Sequence, residues 1–250
     1  MTSHRQLVNG CFVNFDRRDE FNHRFGGSHS SAGAWCPNCD KPLMLYLRLN
    51  LQDPLLSFRR ALPNLRWLDL FYCMRCALAW RDFSYRVLNE QSIAVVEVHR
   101  GCVSWDEWLE ACGGRDEFNE RLIALTPIPH RLQELWDRLN ELRHGEELNV
   151  TEFADVKSLT RGYAFPGAAG FSPSYYFVNQ VGGRSLLCQG IDDPDCPTCG
   201  EEQSGRRKMY FLASLYHDSR SRLCIAYPCT QITFFLCPLC LTVKAVHRTT

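Results

Sequence analysis

The chain has 250 residues, of which 45% are hydrophobic and 22% are charged, and this globular composition excludes a largely disordered protein. Its 28 basic and 28 acidic side chains cancel, so the chain as a whole has no net charge that would attract DNA, RNA or an anionic membrane surface. The length is that of one large or two modest domains.

The first residues predict an edge strand followed by a charged turn. Residues 7–15 (LVNGCFVNF) alternate polar and apolar side chains, as in a strand with one buried face, and residues 16–20 (DRRDE) are charged. Gly26 and Gly27 come next, and a pair of glycines permits a sharp bend. We expect this segment to pack on the first sheet of the protein.

The cysteines predict metal binding in a reducing compartment. Eight of the 14 cysteines fall in four pairs of the form CxxC, which are typical of metal ligation. The first ten residues (MTSHRQLVNG) lack the charged stub and apolar core of a secretory leader, and no apolar run approaches the length of a membrane span. We therefore expect a cytoplasmic protein without a membrane partner.

The four CxxC pairs predict two structural zinc sites. Thiols two residues apart can bind one tetrahedral ion from a single tight turn, and a second pair about 35 residues further on completes the coordination. Four thiolates leave no open position for a water molecule, which indicates a structural ion. The spacing leaves open whether the pairs combine within or across the two copies of the pattern. The predicted ligands are Cys36, Cys39, Cys73 and Cys76, and Cys196, Cys199, Cys237 and Cys240.

Apolar segments beside the cysteine pairs predict the strands of a zinc ribbon. Residues 44–51 place leucines at alternate positions, which is typical of a half-buried strand, and residues 52–64 form a loop that leads to a second strand ahead of Cys73. Residues 93–98 (IAVVEV) are mostly β-branched and extend the sheet. The leucines expected on one face are Leu43, Leu45, Leu47, Leu49 and Leu51.

Residues 104–160 predict a helical connector. Ser104 and Glu107 have the spacing of a capping box before a short helix that stops at Gly113. Residues 129–145 begin with a proline, end with a glycine and carry apolar side chains at helical spacing. Such a stripe more often faces a core than a partner. Its members are Leu132, Leu135, Trp136, Leu139 and Leu142.

Residues 162–177 (GYAFPGAAGFSPSYYF) combine glycine, proline and serine with aromatic side chains, and they predict a site-forming loop. Aromatic side chains are enriched in protein interfaces, so Tyr175, Tyr176 and Phe177 are candidate partner-binding residues. The alternative is that these three residues begin a strand that leads to Gly182.

The order of these features repeats, which predicts an internal duplication. Each copy has paired glycines, a CxxC pair, an apolar strand, a loop, a second strand, a second pair and a further strand. Residues 42–51 correspond to 208–216, and residues 68–83 correspond to 232–246. We predict an α+β fold, mostly antiparallel β, with a first zinc-ribbon-bearing β unit in residues 1–103, the helical connector in 104–160 and a second unit in 161–250.

The sequence contains no motif of a familiar catalytic class. A phosphate-binding glycine loop, HExxH, GxSxG and a dinucleotide-binding fingerprint are all missing, so we expect a protein that is not an enzyme. The six cysteines outside the pairs have no nucleophile signature around them, and we interpret them as small buried apolar residues. They are Cys11, Cys102, Cys112, Cys188, Cys224 and Cys229.

Taken together, the motifs resemble the YwqG-like family of bacterial proteins and, more distantly, the zinc-containing eukaryotic programmed cell death protein 2 group. In the second copy the resemblance rests on Gly182, Gly183, Gln189, residues 196–200 and residues 209–215. In the first copy it rests on Gly26, Gly27, Trp35, Cys36, Cys39 and residues 42–49. The resemblance covers roughly half of the chain. Ser28 and Arg184 stand where such families usually have a proline soon after the paired glycines.

The resemblance implies a β-rich duplicated fold and a role in binding other proteins. Some bacterial relatives look like components of toxin and immunity neighbourhoods, and the eukaryotic group resembles ribosomal-protein chaperones. We therefore expect a non-enzymatic zinc protein with a toxin-neutralising, immunity-like role or a chaperone-like role.

The alternative function is nucleic-acid binding by the second zinc ribbon. Residues 201–250 carry seven basic and three acidic side chains, and aromatic residues lie among them. The basic residues are Arg206, Arg207, Lys208, Arg220, Arg222, Lys244 and Arg248.

Overall fold

The computed structural model describes residues 9–56, 58, 62–73, 82–98, 117–141, 148–166, 176–183, 194–199, 208–216 and 230–249. These residues form an α+β fold that is mostly antiparallel β, as predicted. The strands are β1 (Cys11–Asn14), β2 (His23–Phe25), β3 (Trp35–Cys36), β4 (Lys41–Pro42), β5 (Met44–Asn50), β6 (Trp67–Tyr72), β7 (Asp82–Asn89), β8 (Ser92–Val98), β9 (Arg121–Pro127), β10 (Ala164–Pro166), β11 (Tyr176–Val178), β12 (Gln180–Val181), β13 (Tyr210–Tyr216), β14 (Thr230–Cys237) and β15 (Thr242–Thr249). The helices are α1 (His130–Glu141) and α2 (Val150–Leu159).

Eleven of these strands form one antiparallel sheet in the order β6-β5-β2-β9-β1-β12-β13-β14-β15-β7-β8. The first eight strands of this order are arranged symmetrically about the pair β9 and β1, and β15, β7 and β8 extend the sheet beyond β14. We call β9, β2, β5 and β6 the first half of the sheet, and β1, β12, β13 and β14 the second half. The innermost strand of each half comes from the part of the chain next to the other half. Strand β1 precedes β2 in the chain, yet it pairs with β12 of the second half. Strand β9 precedes β12 in the chain, yet it pairs with β2 of the first half.

The two hairpins, β5–β6 in the first half and β13–β14 in the second, have the same irregularity. Each carries a β-bulge in its first strand, between Leu45 and Leu47 in one hairpin and between Phe211 and Ala213 in the other. A bulge bends a strand and increases its twist. The two hairpins therefore bend at corresponding places.

In each half, the first glycine of a pair donates a hydrogen bond to the bulged residue of the hairpin. The Gly26 N–H donates to the carbonyl of the bulged Tyr46 (3.2 Å), and the Gly182 N–H donates to that of Leu212 (2.7 Å). Both glycines have φ of +65°, which disfavours a residue with a side chain. A Cβ on Gly26 would also lie 2.7 Å from the Cβ of Phe118. The glycines are thus required by the backbone path and, at Gly26, by close packing.

The sheet curves so that the two hairpins pack against each other. The ring centroids of Tyr46 and Phe234 are 6.1 Å apart. Tyr72 also packs against His247 of the neighbouring strand β15, with centroids 6.0 Å apart. One buried cluster contains apolar side chains from both hairpins, such as Leu49 with Leu215. The main core therefore lies between the two halves of the sheet.

Helices α1 and α2 cover the other side of the central strand β1. Phe12 packs edge-on against Trp136 (centroids 6.4 Å apart) and stacks on Tyr163 (4.2 Å). Trp136, Leu132 and Leu135 are buried, which confirms the predicted helix and its core-facing side. The side chain of Leu139, and Leu142, lie outside the described part of the chain.

Helix α2 begins with a capping box that also holds α1. The Asn149 side chain accepts hydrogen bonds from the backbone N–H groups of Thr151 (3.1 Å) and Glu152 (3.0 Å), and the Glu152 carboxylate accepts one from the Asn149 N–H (3.1 Å). The same carboxylate forms an ion pair with Arg138 of α1. This single acidic side chain links the start of one helix to the surface of the other.

The predicted position of the first strand is wrong. Residues 11–14 do form β1, but β1 pairs with β9 on one side and β12 on the other, so it is central and not at an edge. It also lies in the second half of the sheet. Its first three residues are buried because the core covers one face and the helices cover the other.

Two further expectations differ from the structure. The predicted helical connector also contains a strand, β9, whose short apolar run is buried beside β1 and β2. Strand β5 was expected to be half-buried, yet only Arg48 along it is partly exposed, because its other side chains pack into the core or under neighbouring strands. The short helix predicted after Ser104 lies outside the described residues. In the part of the chain that the structure describes, no helix is both long and apolar enough to cross a membrane.

Candidate metal centres

Four thiols of the second half lie together at the end of the second hairpin. Cys196 and Cys199 lie in a turn before β13, Cys237 ends β14, and Cys240 lies in the turn to β15. The four Sγ atoms are all within 4.8 Å of one another. The Cys196–Cys240 distance is 3.5 Å and the Cys199–Cys237 distance is 4.0 Å. We call these thiols the second centre.

This donor set fits a zinc ion. Zinc–sulfur bonds of about 2.3 Å in a tetrahedron place the sulfurs about 3.8 Å apart. The two Sγ–Sγ distances quoted above lie on either side of that value. The second centre thus has the number, type and spacing of ligands that a structural zinc site requires.

Burial makes two of these thiols, Cys196 and Cys199, unfavourable to ionise without a nearby cation. It raises the pKa of Cys196 and of Cys199. Burial acts in the same direction on Cys240, but hydrogen bonds, first among them that from the Thr242 hydroxyl, outweigh it and lower the pKa of Cys240 to about 7. The Thr242 hydroxyl lies 3.1 Å from the Cys240 sulfur, and such donors are common around metal-bound thiolates.

The first centre is described for three of its four predicted ligands. The Sγ atoms of Cys36, Cys39 and Cys73 lie within 4.8 Å of one another, and Cys39 is 3.7 Å from Cys73. Cys76 lies outside the described residues. The described thiols therefore group within residues 36–73 and within residues 196–240, and not across these two segments.

Two of the four turns that carry the cysteines, those at residues 36–40 and 237–241, share one backbone geometry. The Asp40 N–H donates to the Cys36 carbonyl (2.9 Å), and the Leu241 N–H donates to the Cys237 carbonyl (2.9 Å). Asp40 and Leu241 each follow the second cysteine of a pair and have positive φ, 50° and 59°. This turn brings two thiols to the same side of the chain, which explains why the CxxC spacing is needed.

A third group of possible ligands is a hydrogen-bonded network and not a metal site. His23 is fully buried, with Nε2 2.8 Å from Oδ2 of Asp53 and 3.9 Å from Oδ2 of Asp19. The Asn50 N–H donates to Nδ1 (3.0 Å), so the proton of the neutral ring is on Nε2. Nε2 then donates to Asp53 and has no lone pair for a cation.

His23 has a counterpart in the second half. There the Tyr216 N–H donates to Oδ1 of Asn179 (2.8 Å), as the Asn50 N–H donates to His23 in the first half. His23 and Asn179 lie at the same position relative to the paired glycines. The histidine therefore serves as a buried hydrogen-bond acceptor, which an asparagine provides in the other half.

The predicted partner-binding residues are only partly described. Tyr176 and Phe177 belong to β11, which pairs with β10, so the strand alternative is confirmed for these two residues. Their side chains, and Tyr175, lie outside what the structure describes. Their role in binding a partner stays a prediction.

Two of the seven basic residues in 201–250 have described side chains, and both face a carboxylate. Lys208 Nζ is 3.2 Å from Oδ1 of Asp195, and Lys244 Nζ is 4.0 Å from Oε2 of Glu97. Among the unpaired cysteines, Cys11 is described and buried. Burial, with a smaller effect of Asp53, raises the pKa of Cys11 to about 12, so its thiol is unreactive at neutral pH.

Sequence reasoning did not identify Thr198 and Thr242 as parts of the second centre. The signal was present, since Thr198 lies between two ligands and Thr242 follows Cys240 by two residues. A hydroxyl side chain so close to a metal-binding cysteine is well placed to donate to sulfur.

Comparison with known proteins adds no relative: the chain matches no protein-family model, no curated protein and no solved structure. The resemblance to the YwqG-like family stays a prediction from the motifs.

Proposed function

We propose that the protein is a non-enzymatic zinc protein that binds another protein through an internally duplicated pair of zinc-ribbon-bearing β units. The observation that carries the proposal is the second centre, in which four thiols converge in a partly buried cluster. Four thiolates saturate a tetrahedral ion, so the ion holds the fold and leaves no site for a substrate. The first centre repeats this arrangement with its described thiols.

The matching hairpins support the duplication. They share the bulge, the hydrogen bond from the paired glycine and the position of the cysteines at the hairpin end. The same bulge and the same glycine hydrogen bond occur at corresponding positions of both hairpins. They support a duplication more strongly than the repeated CxxC pattern does by itself.

Two exposed apolar side chains next to the ligands support binding of a protein partner. Trp35, which precedes Cys36, is 53% exposed, and Leu239, which lies between Cys237 and Cys240, is 63% exposed. Turns held by a metal ion present such side chains in a fixed position, which reduces the entropy lost on binding. Tryptophan is among the residues that contribute most to protein interfaces. The partner's role, immunity-like or chaperone-like, and a cytoplasmic location are parts of the proposal.

Metal content tests the first part of the proposal. Native mass spectrometry of the full-length protein, purified without added metal, should show two zinc ions per chain. A mass without metal, in protein that is folded by circular dichroism, would contradict the proposed zinc sites.

Affinity capture tests the second part. The zinc-loaded protein and its Trp35→Ala variant are used as bait at moderate and high salt. Val150→Ala is the matched control, because Val150 is an apolar residue that is 86% exposed at the start of α2, an element that carries none of the cysteines. We expect a stoichiometric protein partner that survives high salt, is lost with Trp35→Ala and is kept with Val150→Ala. Loss of all bound material at high salt, with nucleic acid in the low-salt eluate, would instead support the alternative of nucleic-acid binding.

A further inference from the structure

Two threonine hydroxyls connect the turns of the second centre. The Oγ1 atoms of Thr198 and Thr242 are 2.8 Å apart, and Oγ1 of Thr242 is 3.1 Å from Sγ of Cys240. Thr198 lies in the turn of Cys196 and Cys199, whereas Thr242 follows the turn of Cys237 and Cys240. A continuous chain of hydrogen bonds thus runs from one cysteine turn to the other.

The direction of this chain follows from the charge of a bound thiolate. A metal-bound sulfur carries no proton and can only accept, so the Thr242 hydroxyl must donate to Cys240. The oxygen of Thr242 then has a free lone pair, and the Thr198 hydroxyl donates to it. Each hydroxyl proton has one fixed acceptor when the centre is loaded.

Thr242 is well anchored for such a role. It is fully buried, and as the first residue of β15 it is paired with Cys237 of β14 on one side and with Arg86 of β7 on the other. Its backbone is thus fixed from both sides, and its hydroxyl lies 3.1 Å from a single sulfur, that of Cys240.

The first centre has no such hydroxyl at the corresponding positions. Asn38 stands in place of Thr198, and Leu78, two residues after Cys76, stands in place of Thr242. A leucine side chain cannot donate a hydrogen bond. The sequence thus has the same cysteines in both centres but different residues at these two positions.

From this geometry we infer that Thr242, supported by Thr198, is a positioning residue that orients Cys240 and slows the loss of the metal ion from the second centre alone. The inference rests on the proposed zinc binding and deepens it. Groups that hydrogen-bond to metal ligands typically change metal affinity by about 10- to 100-fold when they are removed.

Cadmium NMR tests the inference, because each centre should give its own resonance and the shift reports the sulfur environment. We expect two resonances in the cadmium-loaded full-length protein. The isosteric Thr242→Val change should move one of them and leave the other in place, and Thr242→Ser, which keeps the hydroxyl, should restore the original position. A Thr242→Val spectrum identical to that of the unchanged protein, or a Thr242→Ser spectrum identical to that of Thr242→Val, would overturn the inference.

The matched control is Thr233→Val. Thr233 is a fully buried threonine of β14 whose hydroxyl has no hydrogen-bond partner among the described residues. This change alters a buried threonine without touching the sulfurs, so neither cadmium resonance should move. If Thr233→Val moved the same resonance as Thr242→Val, the effect would be one of packing and the inference would be wrong.

Release of zinc to a coloured chelator gives the second readout. In Thr242→Val, one of the two ions should leave about 10-fold faster or more, with the other unchanged. Thr198→Val should accelerate the release of the same ion by a smaller factor, because the Thr242 hydroxyl remains. If Thr242→Val does not fold, the release rate of Thr198→Val tests the inference. Unchanged release in both variants would refute the role, whereas a chain that binds neither zinc nor cadmium would instead refute the proposed function.

Discussion

The two hairpins of the sheet share a register but have different neighbours on their outer edges. In the second half, β14 pairs with β15 over all of its eight residues. In the first half, the Tyr85 hydroxyl accepts a hydrogen bond from the Phe71 N–H (3.0 Å) and donates one to the Asp69 carbonyl (3.0 Å). One side chain of β7 thus satisfies main-chain groups of β6 where the second half uses a strand.

This difference explains how one continuous sheet arises from two similar hairpins. After the first centre, β7 does not pair along β6 but pairs with β15, and β8 then pairs with β7. The segments 1–103 and 161–250 therefore join twice, through the β1–β12 pair and through the β15–β7 pair. The hairpins are alike because their geometry is local, and the edges differ because each has a different neighbour.

The largest expected effect comes from removing ligands at equivalent positions in the two halves. Cys36→Ser with Cys39→Ser, and Cys196→Ser with Cys199→Ser, should each remove one zinc ion per chain. Because structural zinc contributes about 10 kcal/mol or more of binding free energy, each double variant should also unfold at a much lower temperature. Native mass spectrometry and thermal unfolding measure both effects.

The control for the ligand variants is Cys11→Ala, which changes a buried cysteine outside both centres. This protein should keep two ions. Loss of both ions from either double variant would show that the centres are not separate sites within each half.

A smaller effect is expected at the paired glycines. Gly26→Ala should lower the free energy of unfolding by about 3 kcal/mol, because it combines backbone strain at positive φ with a Cβ 2.7 Å from that of Phe118. Gly162→Ala is the control, since its φ is +90° but no described atom lies within 4 Å of the added Cβ. It should cost about 1 kcal/mol. If Gly26→Ala and Gly162→Ala lowered the free energy of urea unfolding equally, close packing at Gly26 would contribute nothing to stability.

The hydrogen bonds of the Tyr85 hydroxyl to β6, at the edge of the first half, can be removed by one substitution. Tyr85→Phe should lower the free energy of unfolding by about 2 kcal/mol, because the N–H of Phe71 and the carbonyl of Asp69 lose a buried partner. Tyr163→Phe, in which the ring stacked on Phe12 is kept, should be nearly neutral. If Tyr85→Phe left the free energy of urea unfolding unchanged, the hydroxyl would not satisfy main-chain groups of β6 as a neighbouring strand does.

The smallest expected effect tests whether His23 and Asn179 have the same role in the two halves. His23→Asn should retain an acceptor for the Asn50 N–H, whereas His23→Leu leaves that N–H unpaired, and both changes remove the donor to Asp53. We expect His23→Asn to be about 1 kcal/mol more stable than His23→Leu in urea unfolding. The reverse order would show that the two halves do not use this position in the same way.

Several elements followed from local sequence patterns. The strands beside the cysteine pairs and the stripe of α1 were predictable because a period of two or of 3.6 residues is set by neighbouring residues alone. Seven of the eight predicted ligands lie in the described part of the chain, and each one is in a thiol cluster. A CxxC pair encodes its own turn, as the backbone bonds at Asp40 and Leu241 show.

Other elements depended on contacts between distant residues. Strand β9 was missed because its short apolar run has no period that separates a strand from a helix, and its neighbours, β1 and β2, are about a hundred residues away. Strand β1 was assigned to an edge because its alternation does not reveal that helices cover its second face. Tyr85 and Thr242 also gain their roles only through partners on other strands.

The sequence by itself therefore determined the cysteine pairs, the hairpins that carry them and the helix α1, since each is encoded within a short segment. Only the tertiary structure decided that the two halves of the sheet exchange their innermost strands, which of the described thiols lie together, and that the Thr198 and Thr242 hydroxyls connect the two turns of the second centre. The physical reason is that strand pairing and hydrogen bonds across the sheet join residues far apart in the chain, and no local pattern of side chains specifies which strands meet.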